Sequence, residues 1–242
     1  MKIALLGYGK MGRMVEEAAL KKGHTIIAKI SSHENPQITS SQSSIEHADV
    51  CIDFSHPSCV LNNIKQAAQL KKNLIVGTTG WDDHLDLVKE IVKQHQIGFM
   101  YAPNFSLGVH LFRRIVAEAA SLINAFEEYD VGVIEAHHNK KADSPSGTAL
   151  SIAQVLLERV QRKKRLVYDA TEEPVVPEDL HVASIRCGTI PGMHEVILDS
   201  RVDTITLKHT ARSREGFAEG AVTAAEWLEG RHGFYTIDDL FT

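Results

Sequence analysis

The densest chemistry in this chain lies between Glu135 and Thr148, in the run EAHHNKKADSPSGT. Two imidazoles, His137 and His138, stand close to the ammonium group of Lys141, and a turn of small residues, Ser146, Gly147 and Thr148, follows. An imidazole titrates near neutrality, so His137 is suited to give a proton to an atom that is receiving electrons. Lys141 can balance a carboxylate, or deliver that proton itself. Ser146, Gly147 and Thr148 read as a helix start whose amide groups favour a further carboxylate. The set suits a small dianionic substrate, reduced at a C=C or C=N bond and then protonated, better than a neutral hydrocarbon. Glu135 can orient His137 or His138, or simply close a strand. His137, His138 and Lys141 also have a plain structural reading as polar residues at the end of a strand.

Other chemistries fit less well. His137 and His138 are adjacent rather than four residues apart on a helix, and no Cys/His cluster lies nearby, so no metal is expected. Ser146 lies in SPSG rather than GxSxG, and no nucleophilic triad is indicated. Cys51, Cys59 and Cys187 are an odd number without metal spacing, as expected of a reduced, cytosolic protein without a disulfide framework.

A second constellation opens the chain. Gly7, Gly9 and Gly12 follow a short apolar run and precede a helical pattern, with Lys10 and Met11 in the same loop. In that context Gly7 permits a tight turn, Gly9 the close approach of a pyrophosphate, and Gly12 close packing of the helix. The helix N-terminus would then supply donors to the phosphates. The alternative is a tight turn whose glycines serve packing alone. The acid that usually meets the ribose, about 20 residues further on, is missing: Lys29, Ile30, Ser31, Ser32 and His33 stand there. Both NADH and NADPH are therefore admissible cofactors. Lys29, Ser31, Ser32 and His33 are candidate contacts for a 2′-phosphate, and Glu34 keeps NAD open. Gly77, Thr78, Thr79 and Gly80 follow another strand and have the small side chains needed near a nicotinamide ribose. Ala102, Asn104 and Phe105 follow a further one, where Asn104 can hydrogen-bond a carboxamide and Phe105 can pack beside it. Asp53 reads as a turn or helix-start residue.

These residues need elements to carry them. The chain has 242 residues, 43% of them apolar and 24% charged, which supports one large or two small globular domains. Lys plus Arg total 26 against 31 acids, a balance that disfavours nucleic acid as a general partner. No apolar run approaches the ~20 residues that cross a bilayer, and the first residues break at a glycine too early for a secretory leader. A cytoplasmic enzyme with no membrane partner is expected. Strands are predicted over 2–6, 25–30, 50–54, 74–76 and 97–101, alternating with helices over 14–20, 60–70 and 83–94. That order implies an α/β, Rossmann-like dinucleotide-binding domain with a parallel sheet covered on both faces. After residue 104 the pattern changes: a helix over 107–126, a strand over 129–136, a helix from about 147 to 159, then strands near 181–186, 194–199 and 202–210 at hairpin spacing. A mixed-sheet α+β domain for substrate and oligomerisation is expected over 105–212. A helix over 217–228 is predicted within 213–242, which should pack back on residues 1–104. The basic run Arg162–Arg165 is expected to face solvent.

The sequence resembles the 4-hydroxy-tetrahydrodipicolinate reductase family, formerly called dihydrodipicolinate reductase. The similarity is carried by GYGKMGR at 7–13, GTTG at 77–80, APNFSLGV at 102–109, EAHHNKKADSPSGTA at 135–149, SIRCGTIPGMHEV at 184–196 and ITLKHTARSREGFAEGAVTAAEWL at 205–228. The resemblance implies reduction of the dehydrated form of 4-hydroxy-tetrahydrodipicolinate by NADH or NADPH, in lysine and diaminopimelate biosynthesis. It implies that His137 is the proton donor, that Lys141 binds substrate or delivers the proton, and that His138, Ser146, Gly147 and Thr148 meet substrate carboxylates. Arg214 resembles a further position near the substrate or a hinge. A homotetramer built through the second domain's sheet is implied too. Two other readings stay open at this point: an amino-acid or semialdehyde dehydrogenase of the same two-domain plan, and a nicotinamide-sensing regulatory protein without catalysis.

Overall fold

A computed structural model of the chain describes residues 1–31, 42–168 and 173–242. Ser32, His33 and Glu34, the candidate contacts beyond Ser31, lie outside the described residues. The chain divides into two compact units, Met1–Ser106 with Glu215–Thr242, and Leu107–Arg214.

In the first unit the described strands are β1 (Lys2–Leu6), β2 (Thr25–Ile30), β3 (Val50–Asp53), β4 (Asn73–Val76), β5 (Gly98–Tyr101) and β11 (Gly233–Thr236). They form one parallel sheet in the order β11-β5-β4-β3-β1-β2. The connecting helices are α1 (Lys10–Lys21), the short α2 (Gln42–Ile45), α3 (Pro57–Gln69), α4 (Leu85–His95) and, from the end of the chain, α7 (Glu215–Trp227). The strands are short apolar runs because both faces are covered. Ala4, Leu6, Cys51, Leu74, Val76 and Phe99 pack with Val60, Ile64, Ala67, Val88 and Val92 of α3 and α4. Ile3, Leu5, Ile52, Ile75 and Met100, at the alternate positions, are buried as completely. Fully burying one such side chain contributes about 1.5–3 kcal/mol.

Three features depart from the sequence expectation, the first being the short helix α2 in the connection between β2 and β3. α1 begins at Lys10, four residues before the predicted start, because Gly9 takes the N-cap position and Gly12 is accepted inside the first turn. β11 is not expected from the sequence: four residues that open on a glycine carry too little periodicity, and the strand exists through its pairing with β5.

The second unit contains α5 (Leu107–Ile123), β6 (Asp130–His137), α6 (Gly147–Arg159), β7 (Arg165–Tyr168), β8 (Asp179–Arg186), β9 (Met193–Asp199) and β10 (Thr204–Thr210). Its sheet has the order β10-β9-β6-β8-β7 and is mixed. β6–β8 and β7–β8 are parallel, while β9–β6 and β10–β9 are antiparallel. Phe112, Val116 and Ala120 of α5 and Ala149, Ile152, Ala153 and Leu156 of α6 pack on Val131, Val133, Leu180, Val182, Val196 and Leu198 of the sheet.

The basic run at 162–165 departs from its expected role at Arg162 and Lys163, while Lys164 and Arg165 are exposed as expected. Lys163 is buried, with Nζ 2.6 Å from Asp130 Oδ1 and donating to the Asp179 carbonyl at 2.7 Å. Arg162 donates to the Tyr129 carbonyl, and Arg165 opens β7 and pairs with Asp179 at 2.8 Å. A charge run looks solvated in one dimension. Here it ties the ends of three strands together.

Candidate active site

The loops after β1, β3, β4 and β5 all leave the carboxyl edge of the first sheet, where β1 lies between β2 and β3 and the strand order reverses direction. Ligands of doubly wound sheets bind outside such a switch point. Gly7 has φ +93°, a conformation that costs a residue with a Cβ. A Cβ there would also run into the backbone of Phe54 and Ser55. Gly7 N–H donates to the Ile30 carbonyl at 2.8 Å, binding the glycine turn to the end of β2. At Gly12 a Cβ would strike the Gly7 carbonyl, so this glycine lets α1 close on the turn itself. A Cβ on Gly9 would meet nothing within 4 Å, and the N-terminus of α1 has no side-chain cap and no acid in its first turn. Open space above uncapped amides fits the pyrophosphate of a dinucleotide. Lys10 is exposed and Met11 half-buried in that first turn.

The second and third loops are pinned by Asp53, whose turn role at the end of β3 extends to the loop after β4. Asp53 is fully buried and accepts from Ser55 N–H at 2.9 Å, Ser55 Oγ at 2.7 Å, Thr78 Oγ1 at 2.6 Å and Asn63 Nδ2 at 2.7 Å. Burial pushes its carboxyl up, against those hydrogen bonds. Thr78 is thus committed inward, and its carbonyl accepts from Trp81 Nε1 at 2.7 Å, whereas Thr79 is exposed. Gly77 lies against the Phe54 ring, where a Cβ would clash. Phe54 meets Phe105 edge-on at 6.2 Å. Phe105 and Ala102 are buried, so both shape the loop floor. Asn104 Oδ1 accepts from Ser106 N–H at 2.7 Å in a local turn. Lys29 is engaged by Glu16 and Tyr8, and Ser31 is half-buried after β2.

The second unit gathers charge instead. Along β6 the buried face runs Val131, Val133, then Glu135 and His137. β8 continues in the same way from Leu180 and Val182 to Ser184 and Arg186, and β9 from Leu198 and Val196 to His194. Register sets these polar ends side by side: His137 opposite Arg186, and Glu135 opposite Ser184 on one flank and His194 on the other. One end of the sheet's inner face is therefore apolar core, and the other is a polar cluster under the N-terminus of α6.

Glu135 is fully buried. His137 Nδ1 is hydrogen-bonded to its Oε2, Arg186 Nη2 lies 2.8 Å from its Oε1, and Ser146 N–H reaches Oε1 at 3.4 Å. Burial alone would raise the Glu135 pKa, but Arg186, Ser184 and His137 outweigh it and hold the carboxyl below its ordinary value. His137 is lowered by burial, with Glu135 pulling the other way. His194 is pushed down to about 4, first by burial and then by the charge of His137. Its ring stands edge-on to His137 at 5.2 Å, with Nε2 3.3 Å from Ser146 Oγ. Glu135, His137 and His194 offer ligand atoms within 4.8 Å of one another. Both Glu135 oxygens are, however, already engaged by His137 and Arg186, so a proton and a guanidinium satisfy this carboxylate.

Around this cluster, Ser146 caps α6 by accepting from Ala149 N–H at 3.2 Å. Neither of the earlier amides, of Gly147 and Thr148, has an intrahelical partner, and that of Gly147 donates to the Asp143 carboxylate. Lys141 Nζ lies 2.8 Å from Asp143 Oδ1. His138 has its Nδ1 buried with no hydrogen-bond partner among the described residues, as does Nδ1 of His194. A Cβ at Gly192 would stand 3.1 Å from His137 Nε2, so that glycine keeps the outer ring nitrogen uncrowded. Arg214 is exposed at the end of the second unit. Arg186, His194 and Gly192 were not singled out from the sequence. Residues 135 and 137 share a face by strand alternation, but only the pairing of β6 with β8 and β9 brings the others in.

Comparison with known proteins agrees with both halves of this description. Residues 1–105 match the family described as dihydrodipicolinate reductase, N-terminus, and residues 108–241 match dihydrodipicolinate reductase, C-terminus. A 4-hydroxy-tetrahydrodipicolinate reductase of Christiangramia forsetii is 39% identical, covering 100% of this chain and 98% of the relative. One from Staphylococcus haemolyticus is 38% identical, covering 99% and 100%. A dipicolinate-bound dihydrodipicolinate reductase structure from Paenisporosarcina sp. TG-14 shares the fold, with TM-score 0.80, 21% identity and 99% coverage of each chain. With both halves of the family matched in order and relatives of this identity aligned end to end, the chain belongs to the dihydrodipicolinate reductase family, a group of NAD(P)-dependent oxidoreductases.

Proposed function

We propose that this protein reduces the dehydrated form of 4-hydroxy-tetrahydrodipicolinate to tetrahydrodipicolinate, using NADH or NADPH, in lysine and diaminopimelate biosynthesis. The observation that carries the reading is a paired imidazole, His137, placed beside Lys141 and the N-terminus of α6, in a chain whose other unit has an uncapped glycine turn. Gly7, Gly9, Lys10, Met11 and Gly12 would hold the cofactor's phosphates, with Gly77, Thr78, Thr79, Ala102, Asn104 and Phe105 lining the nicotinamide side. The reduced cofactor supplies the hydride equivalent.

The remaining chemistry belongs to the chain. Lys141 and the Gly147 and Thr148 amides balance the two substrate carboxylates, with His138 and Ser146 as further donors. His137 spends Nδ1 on Glu135, so the proton it transfers sits on Nε2, the nitrogen beside Gly192. Burial alone makes that proton scarce, and Glu135 makes it more available. A dianionic substrate raises its availability further, so the donor is charged when there is something to protonate. Lys141 is the competing donor. Arg214 is a candidate substrate contact.

Among the described residues no helix is long and apolar enough to cross a membrane. A cytoplasmic homotetramer is part of the proposal. The outer face of the second sheet supports assembly, since it presents Ile134, Ala183, Ile185 and Ile197, with Ile185 51% exposed. The decisive experiment mixes freshly generated substrate with the native protein and each reduced nucleotide, following absorbance at the nicotinamide band. Substrate-dependent oxidation is expected, and replacing His137 with Gln should slow turnover about 10²–10³-fold at nearly unchanged substrate affinity. Absence of oxidation with both nucleotides would sink the reading. Weakened binding with turnover intact in His137→Gln, together with slowed turnover in Lys141→Ala, would move the donor role to Lys141.

A further inference from the structure

In doubly wound folds a carboxylate at the end of the second strand meets the adenosine ribose and discriminates against a 2′-phosphate. Residues 29–31 contain none. The fold brings one there from α1. Glu16 Oε1 lies 2.5 Å from Lys29 Nζ, at the penultimate position of β2, and Tyr8 Oη donates to the other Glu16 oxygen. Lys29 Nζ also donates to Tyr8 Oη at 3.3 Å and stands 4.9 Å from the centre of its ring. Arg13 Cζ lies 5.5 Å from the same ring. Tyr8 is the residue between Gly7 and Gly9, so the cluster is built onto the glycine turn. Hydrogen bonds from Lys29 and then Tyr8 lower the Glu16 pKa, and the bond to Glu16 raises that of Lys29. Both groups therefore stay charged at neutral pH, and the lysine's charge is already balanced by the carboxylate.

We propose that Glu16 is a specificity-determining residue for the cofactor: by pairing with Lys29 it withholds that cation from a 2′-phosphate and favours NADH. The inference rests on the reductase reading above. A 2′-phosphate arriving here must take Lys29 from Glu16 and stand near the carboxylate it displaces, whereas a ribose hydroxyl meets neither cost. A carboxylate on α1, thirteen positions before Lys29, is invisible to a search confined to the end of β2.

The test is the pair of dissociation constants for NADH and NADPH, read by nicotinamide fluorescence at matched ionic strength. Glu16→Gln should tighten NADPH about threefold to tenfold and leave NADH within about twofold. The gain should vanish in the Glu16→Gln, Lys29→Met double variant and shrink as salt rises. An unchanged ratio in Glu16→Gln, with both cofactors still bound, would overturn the assignment. So would a gain that survives removal of Lys29. Failure of the native protein to bind either cofactor is a different result: it would remove the reductase reading, and this inference with it.

Discussion

Among the described residues each unit buries one carboxylate completely, and the two are pushed in opposite directions. Asp53 and Glu135 are both 0% exposed. Asp53 is met only by neutral donors, from Ser55, Asn63 and Thr78, and burial raises its pKa. Glu135 faces burial too, but the Arg186 guanidinium and the His137 ring keep its pKa low. Burial is common to both, so the charge of the partners decides. The consequence divides labour: Asp53 pins loops at the carboxyl edge of a parallel sheet, while Glu135 belongs to a network that can gain or lose a proton.

The sharpest way to break that contrast is Glu135→Ala. It strands Arg186 and His137 without their partner, and urea unfolding at pH 7 should show a loss of about 3–5 kcal/mol. If Asp53→Ala costs the same, partner charge is not what separates the two sites. The next effect comes from His194, whose pKa falls from 6.5 to about 4 on folding. Below pH 6.5 the unfolded chain takes up a proton that the native His194 refuses. Its contribution is complete above pH 6.5 and is lost as pH falls toward 4, by up to ~3 kcal/mol. Unfolding curves across that range should therefore be flatter for His194→Gln than for the native protein. A parallel pair of curves would show that His194 is not held neutral. The smallest effect is expected from Asp53→Asn. It keeps shape and most acceptor capacity, so it should cost about 1–2 kcal/mol at pH 7. The native carboxyl is raised above 3.8, so folding is eased by its protonation, and native stability from this group falls as pH rises through that range. Shrinkage of the Asp53→Asn deficit on acidification would contradict this.

Much of the first unit was legible without coordinates, because its information is local. Gly7, Gly9 and Gly12 between an apolar run and a helix announce a strand–turn–helix unit. Alternating short strands and helices leave few topologies once crossovers are right-handed. The run from Glu135 to Thr148 likewise displayed its imidazoles, its ammonium and its helix start in consecutive residues, and the family resemblance rested on such runs. What no local pattern could contain is which strand lies beside which. Arg186 and His194 reach Glu135 and His137 only through the register of β8 and β9 on β6. Lys163 is buried only because Asp130 and Asp179 converge on it from two strands. Glu16 meets Lys29 only when α1 lies along β2. Sequence determines the kinds of groups available and the faces they occupy, since helix and strand periods are properties of the backbone. Ionisation and pairing depend on neighbours a few ångströms away in space, and only the folded chain selects those.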